Sequence, residues 1–269
     1  MAKMSSVERR AQTQSLERGL LILSAFRPEE PLIGISELAR MLGLNRSTVH
    51  RYVATLHRLG YLQQDPATRK YRLGMRVLDL GFSAINSMEL REIAAPHLQE
   101  LSDKTGHTVN MAILDRADIV YIDRVRSPRP GQSQIDLNLH IGSRLPAYCT
   151  SMGKVMLAYL PEAALCDVLD GTDLIQRGPN TLTQRESLIG ELQRIRISGL
   201  AVNNEELAYG LRSIAVAVRT PAGEPVAAVN LAVHRSMVSM DDLIARLSPA
   251  LRSTAEEISR RFGHRTPAR

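Results

Sequence analysis

Residues 35–74 read ISELARMLGLNRSTVHRYVATLHRLGYLQQDPATRKYRLG, and this stretch places two short amphipathic segments three residues apart. In the first, Ser36 can cap a helix whose inner face is Leu38, Ala39 and Leu42, with Ile35 packing just before it. Gly43 stops that helix, because glycine accepts the left-handed conformation a helix end requires. Asn45 then caps a second helix, RSTVHRYVATLHRL, which runs to Gly60. A 3.6-residue period lines up Val49, Tyr52, Val53, Leu56 and Leu59 as one apolar stripe, leaving Ser47, His50, Arg51, Ala54 and Arg58 on the opposite face. Two helices joined by three residues have helix-turn-helix spacing.

The polar face has the chemistry to enter a DNA major groove. Arg51 can fork onto guanine, Ser47 and His50 can bond to base edges or phosphates, and Ala54 can touch a thymine methyl. Arg46 and Thr48, at the helix start, suit phosphate, and Ser36 and Arg58 complete the DNA-facing set on the two helices. Downstream, YLQQD and RKYRLG read as two strands around the DPAT turn, since Asp65 and Pro66 favour chain reversal. This makes a wing with Arg69 and Lys70 toward its tip and Arg72 nearby. Upstream, Leu16, Leu20, Leu23 and Phe26 space out a helix that closes a small core.

Charge supports the same reading. The chain carries 34 Lys and Arg against 28 Asp and Glu, for a net +6. Residues 1–74 alone hold 12 basic and 6 acidic side chains, so the whole excess lies in the first quarter. Such asymmetry suggests a nucleic-acid-binding module joined to a neutral domain, although charge alone is equally consistent with an ordinary solvated basic face. A hydrophobic content of 44% over 269 residues excludes a mostly disordered chain and allows two ordinary domains. No apolar run nears the roughly 18 residues of a membrane span, and the opening MAKMSSVERRAQTQ lacks a secretory apolar core. Cys149 and Cys166 form no C-x-x-C pattern, so a reducing, cytoplasmic setting is expected.

From Met75 the chain reads as helix as far as Gly106, with a break near Gly81–Met88 and Pro96 in the first turn of its second half. Beyond it HTVNMAILD, DIVYIDRVRS and QIDLNLHIG have strand character, the first two joined by a tight RA turn. TSMGKVMLAYL and PEAALCDVL are helices started by Thr150 and Pro161, and LTQRESLIGELQRIRISG is a longer one with a Thr183–Glu186 capping box. LRSIAVAVRT and PVAAVNLAVH form a hairpin through PAGE, and SMDDLIARLSPALRSTAEEISRRF closes the chain as an amphipathic helix. The fold class is therefore α+β, a sheet with helices packed on it. GxGxxG, Walker and GxSxG signatures are all missing, and MGKV lacks the upstream glycine of a phosphate loop. No cofactor, metal site or catalytic residue is expected. The rival reading is an enzyme on a small metabolite whose basic N-terminal part is an interaction module.

The order of LARMLGLNRSTVHRYVATLHRLGYL, the hairpin ending YRLG, a linker helix and LPAYCTSMGKVMLA resembles the IclR family of bacterial transcription regulators over residues 14–264. RLPAYCTSMGK is most similar to the subgroup controlling aromatic-acid breakdown through the β-ketoadipate pathway. The resemblance implies a flexible arm at 1–13, a winged helix-turn-helix at 14–74, a linker helix at 75–88 and a GAF-like effector-binding domain at 89–265. It also implies a homodimer, assembling as a dimer of dimers on double-stranded DNA, whose operator binding or activation of catabolic genes is controlled by a small carboxylate effector, with activation and repression both open. The family's effector pocket maps onto Leu145, Ser151, Met152, Asn203, Ser213, Asn230 and Ala232. Members that bind small oxoacids carry an acid where Asn203 stands and a serine where Asn230 stands, which speaks against glyoxylate here. For an aromatic acid, Tyr148 and Met152 can supply an apolar wall and Thr150, Asn203 and Asn230 hydrogen bonds, while Arg144 is the nearest guanidinium. Arg144 could equally form a surface ion pair, and Asn230 could pair with protein instead of ligand.

Overall fold

The computed structural model describes residues 14–27, 29–86, 88–127 and 138–265. The expected arm at 1–13 lies outside them, as do residues 134–137 of the third expected strand. The chain divides into two compact units, Met1–Ser87 and Met88–Arg269.

The first unit contains α1 (Gln14–Ser24), α2 (Ile35–Leu42), α3 (Arg46–Arg58), β1 (Leu62–Gln64), β2 (Tyr71–Leu73) and α4 (Arg76–Asn86). Its core is Ile22, Ile33, Leu38, Val49, Val53, Leu62 and Tyr71, each side chain stabilising the fold by about 1.5–3 kcal/mol when fully buried. Ile22 is the α1 residue fully buried in this core, and Leu23 and Phe26 pack against it as expected. Leu16 and Leu20, expected to face inward, are more than half exposed, and Leu59 at the end of the α3 stripe is also exposed. Gly43 adopts φ +64 and ends α2 as its sequence requires. The α2 start differs from expectation. Gly34 occupies the cap, its N–H donating to Glu37 Oε2 at 2.8 Å, so Ser36 lies inside the helix and caps nothing. Ile33 exchanges two backbone hydrogen bonds with Tyr71, adding a third short element to the β1–β2 hairpin. Helix α4 runs through Gly81 to Asn86 and the next helix opens at Glu89, so the expected break falls at the far end of the Gly81–Met88 interval.

The second unit opens with α5 (Glu89–Thr105), and Pro96 sits in the middle of that helix, not in its first turn. Six strands follow: β3 (Thr108–Asp115), β4 (Asp118–Val125), β5 (Arg144–Pro146), β6 (Ala201–Asn204), β7 (Leu211–Arg219) and β8 (Pro225–His234). They form one antiparallel sheet in the order β5-β4-β3-β8-β7-β6. The β3–β4 turn holds Arg116 at φ +57, the left-handed geometry that matches strand twist in a two-residue hairpin. Residues 138–142 of the expected third strand belong to no strand, and β5 begins only at Arg144. Between β5 and β6 lie α6 (Ser151–Leu157), α7 (Glu162–Asp170) and α8 (Arg185–Ser198). Helix α8 starts at Arg185 with Gln184 in the cap position, which leaves Thr183 one residue too early for a capping box. At the end, α9 (Met240–Asp242) passes through a π-helical turn, Leu243–Leu247, into α10 (Ser248–Arg265).

The two sheet faces are filled differently. Along β8, Val229, Leu231 and Val233 face one side, with Met111, Ile214 and Val216, and pack on α5 and α10. Ala228 and Ala215 face the other way, under α6 and α8. Large aliphatic side chains close the first interface. Alanines and small polar groups on the second leave space, and the cavity forms there.

Candidate effector cavity and DNA-reading helix

On α3, Arg46, Ser47, His50, Arg51, Ala54 and Arg58 are exposed and Thr48 is half-buried, while Val49 and Val53 anchor the opposite face in the core. The polar face inferred from periodicity is therefore free to meet a partner. In the wing, Asp65 Oδ1 accepts from the Ala67 and Thr68 amides and the Thr68 hydroxyl, which tightens the turn. Arg69 follows at φ +60, exposed. Lys70 is differently disposed from its neighbour: its Nζ lies 3.0 Å from Glu37 Oε1 and pins the wing to α2. The Gly34 amide, with Lys70 second, holds the Glu37 carboxyl below its ordinary value.

The cavity lies in the second unit, between the sheet and the start of α6, with a volume of about 50 Å³. Two cross-strand rows make its floor. In one, Thr108, Ala232, Ser213 and Asn203 stand opposite one another on β3, β8, β7 and β6. In the other, Arg124, Asn110 and Asn230 do so on β4, β3 and β8. A β-bulge decides the second row. Asp123 pairs with Met111 and Tyr121 with Ala112, so Ile122 is the extra residue. The bulge shifts the phase of alternation. Tyr121 and Arg124, three positions apart, consequently line the same cavity.

Arg124 Nη1 donates to Asn110 Oδ1 at 3.0 Å, and Asn110 Nδ2 donates to Asn230 Oδ1 at 2.7 Å. Burial pushes the Arg124 guanidinium's pKa down from its ordinary value, and burial likewise pushes the Tyr121 hydroxyl up to about 12. The serine hydroxyls of Ser151 and Ser213 lie 2.7 Å apart on the far side of the floor.

Of the expected effector residues, Thr150, Ser151, Asn203, Ser213, Asn230 and Ala232 line this cavity. Several are already engaged. Thr150 Oγ1 caps α6 by accepting from Gly153 N, and Asn203 spends Nδ2 on Cys149 O and Oδ1 on Glu206 N. Asn230 pairs with protein through its oxygen. The other four lie elsewhere. Met152 and Tyr148 are buried in the core beneath α6, Leu145 packs on that core, and the Tyr148 hydroxyl donates to Ile175 O. Arg144 forms surface ion pairs with Asp115 and Asp118. The guanidinium at the cavity is Arg124, which reading DIVYIDRVRS as a regular alternating strand does not reveal.

Cys149, considered as a nucleophile, is buried, and desolvation pushes its thiol up to about 11. A thiol so protonated is inert. Lys154 turns inward, 2.6 Å from Glu206 Oε1 and 3.6 Å from Glu191 Oε1. Desolvation raises the Glu206 carboxyl, and the Lys154 charge offsets part of that rise. Gly153 is explained by packing: a Cβ there would lie 2.2 Å from Ala147 O. Among the described residues no group of three His, Cys, Asp or Glu side chains could hold a metal, and no helix is long and apolar enough to cross a membrane.

Residues 15–66 match the model of the IclR helix-turn-helix domain, and residues 82–260 that of the bacterial transcriptional regulator IclR C-terminal domain. The chain is 35% identical over 251 residues to the HTH-type transcriptional regulator XynR of Escherichia coli (strain K12), covering 93% of this chain and 98% of the relative. It is 36% identical over 244 residues to the Pca regulon regulatory protein of Pseudomonas putida, covering 91% and 82%. A crystal structure of a putative transcriptional regulator from Rhodococcus sp. RHA1 is 39% identical, with a TM-score of 0.78 over 93% of this chain and 98% of that one. The inducer-binding domain of a PobR double mutant from Acinetobacter, solved with 3-hydroxybenzoic acid, is 31% identical, with a TM-score of 0.57 over 63% and 97%.

Proposed function

Since this chain belongs to the IclR family of bacterial transcriptional regulators, we propose that its operator binding is controlled by a small carboxylate effector held in the cavity of the second unit. The effector is an aromatic acid or a related catabolic intermediate, and the regulated genes serve its breakdown. The observation that carries this reading is the cavity itself, polar-floored and set between the sheet and α6, in a chain whose other unit is a helix-turn-helix. The PobR inducer-binding domain, solved with 3-hydroxybenzoic acid, supports the aromatic class. The cavity has room for roughly three to five waters, which restricts the effector to a compact molecule. An effector acts by binding one arrangement of the DNA-bound regulator more tightly than another. The chain works as a homodimer or a dimer of dimers. XynR and the Pca regulon protein are named regulators, and the buried, protonated Cys149 offers no nucleophile for an enzymatic alternative.

Gel-shift titration on the chain's own promoter region tests the DNA half. Arg51→Ala should lose about 1–3 kcal/mol of operator affinity, and Arg46→Ala should flatten the salt dependence by about one phosphate contact. Unchanged operator affinity in Arg51→Ala and Arg69→Ala would overturn that half. A thermal-shift screen of protocatechuate, 4-hydroxybenzoate, β-ketoadipate and glyoxylate tests the effector half, because a ligand of the folded form raises its melting temperature. Stabilisation by glyoxylate alone would remove the aromatic class.

A further inference from the structure

Resting on the effector reading above, we infer that Arg124 is the receptor for the effector's carboxylate, and that the cavity selects a monoanionic acid. A guanidinium only donates hydrogen bonds, so its contact fixes the polarity of the whole row. Arg124 Nη1 turns the Asn110 oxygen toward itself, and Asn110 Nδ2 then faces the Asn230 oxygen. What remains unspent is all donor. Arg124 Nε is buried with no partner, Nη2 has none among the described residues, and Asn230 Nδ2 is left over on the cavity floor.

Arg124 also lacks a counter-ion: among the described residues no Asp or Glu forms an ion pair with it. The acid beside it in sequence, Asp123, alternates to the opposite face of the sheet and pairs with Arg91. A half-buried cation without an anion is costly, and a carboxylate removes the cost. The Nε–Nη2 edge matches a carboxylate fork in spacing and charge. An amine or other cation finds no acceptor on that edge. Arg124 is the one basic side chain lining the cavity among the described residues, so a second carboxylate would enter without a partner. The remainder of the ligand faces Leu207, Leu211 and the neutral Ser151–Ser213 pair, which suits an apolar or hydroxylated body.

The test uses benzoate, its neutral isostere benzamide and the dianion adipate, titrated by calorimetry into the full chain and into Arg124→Gln and Arg124→Lys. Benzoate should bind the unsubstituted chain at least about tenfold more tightly than benzamide or adipate. Arg124→Gln should weaken benzoate by about tenfold to a hundredfold, and Arg124→Lys by less, because it keeps the charge and loses the fork. A cooperative thermal unfolding transition and an unchanged circular dichroism spectrum show that each variant is folded. Should Arg124→Gln not fold, the order of the three ligands on the unsubstituted chain decides alone. Equal binding of benzoate and benzamide, or an Arg124→Gln protein that keeps its benzoate affinity, overturns the receptor. Adipate binding more tightly than benzoate overturns the selection for a single charge. If benzoate and every acid of the earlier screen fail to bind at high millimolar concentration, the effector reading fails with it. If acids bind without regard to Arg124, only this inference fails.

Discussion

Asn110 and Asn230 stand directly opposite each other on adjacent antiparallel strands, and their carboxamides share a 2.7 Å hydrogen bond inside the sheet-helix interface. Asn110 is the hinge of the row, bonded to Asn230 on one side and to Arg124 on the other. A single amide thus serves both the stability of the unit and the orientation of the guanidinium at the cavity.

Replacing Asn110 by alanine strands two polar groups at once. Urea denaturation should show a loss of about 1–3 kcal/mol, since an unsatisfied buried group bears its full desolvation cost. Adding Asn230→Ala should cost less than the two single effects combined, because the pair interacts directly. Strict additivity would show that the bond contributes nothing.

Gly153→Ala tests the close approach of α6 to the turn before it. The added methyl would meet Ala147 O at 2.2 Å and Ala147 Cα at 2.3 Å, both main-chain atoms that cannot rotate away. A destabilisation of about 1–3 kcal/mol or more is expected in thermal or urea unfolding. Because α6 carries Ser151, effector binding should weaken too. A variant as stable as the original would mean that the helix shifts freely.

The two cysteines should separate under a thiol reagent. Cys166 is exposed and Cys149 buried. The Cys149 thiol stays protonated until the pH approaches about 11, so it is unreactive at mildly alkaline pH while the fold holds. Time-resolved labelling should show Cys166 modified first and Cys149 only on unfolding. Simultaneous modification would contradict the burial.

Glu205 should make the segment beside the cavity insensitive to mild acid. The Gly210 amide, 2.9 Å from Glu205 Oε2, and Arg235 hold this carboxyl below its ordinary value of 4.5. A depressed folded pKa gives stability that is fully present above 4.5 and is lost only as the pH falls through the folded value. Intrinsically corrected exchange of the Gly210 amide should show constant protection from neutral pH down to the ordinary carboxylate range. Glu205→Ala should remove that protection at every pH.

Much of the first unit was legible because its signals are local. Gly43 must end α2 wherever that helix lies, and the Val49–Val53 stripe repeats at a helical period without knowing what it packs against. Ile22 and Ile33 were harder to see, since their burial depends on how α1 and the wing meet α2 and α3. Ser36 shows the limit even of local rules: a capping serine one residue past the true start is displaced by Glu37, which reaches back to Gly34. In the second unit the β3–β4 and β7–β8 hairpins were readable from alternation and turn residues. The short edge strands β5 and β6 were not, because three or four residues carry too little periodicity.

The sequence by itself determined the exposed polar face of α3, the concentration of positive charge in the first unit, and a neutral α+β unit after it in the chain, since periodicity, caps and charge act between near neighbours. Only the tertiary structure decided where a ligand could sit. The cavity floor is drawn from five strands, brought together by sheet order. One extra residue at Ile122 turns Arg124 toward the cavity and away from the side that strict alternation assigns it. Contacts between residues a hundred positions apart leave no trace in a linear pattern, and so Arg144, adjacent in sequence to the expected loop, looked like the cavity's cation when Arg124 fills that place.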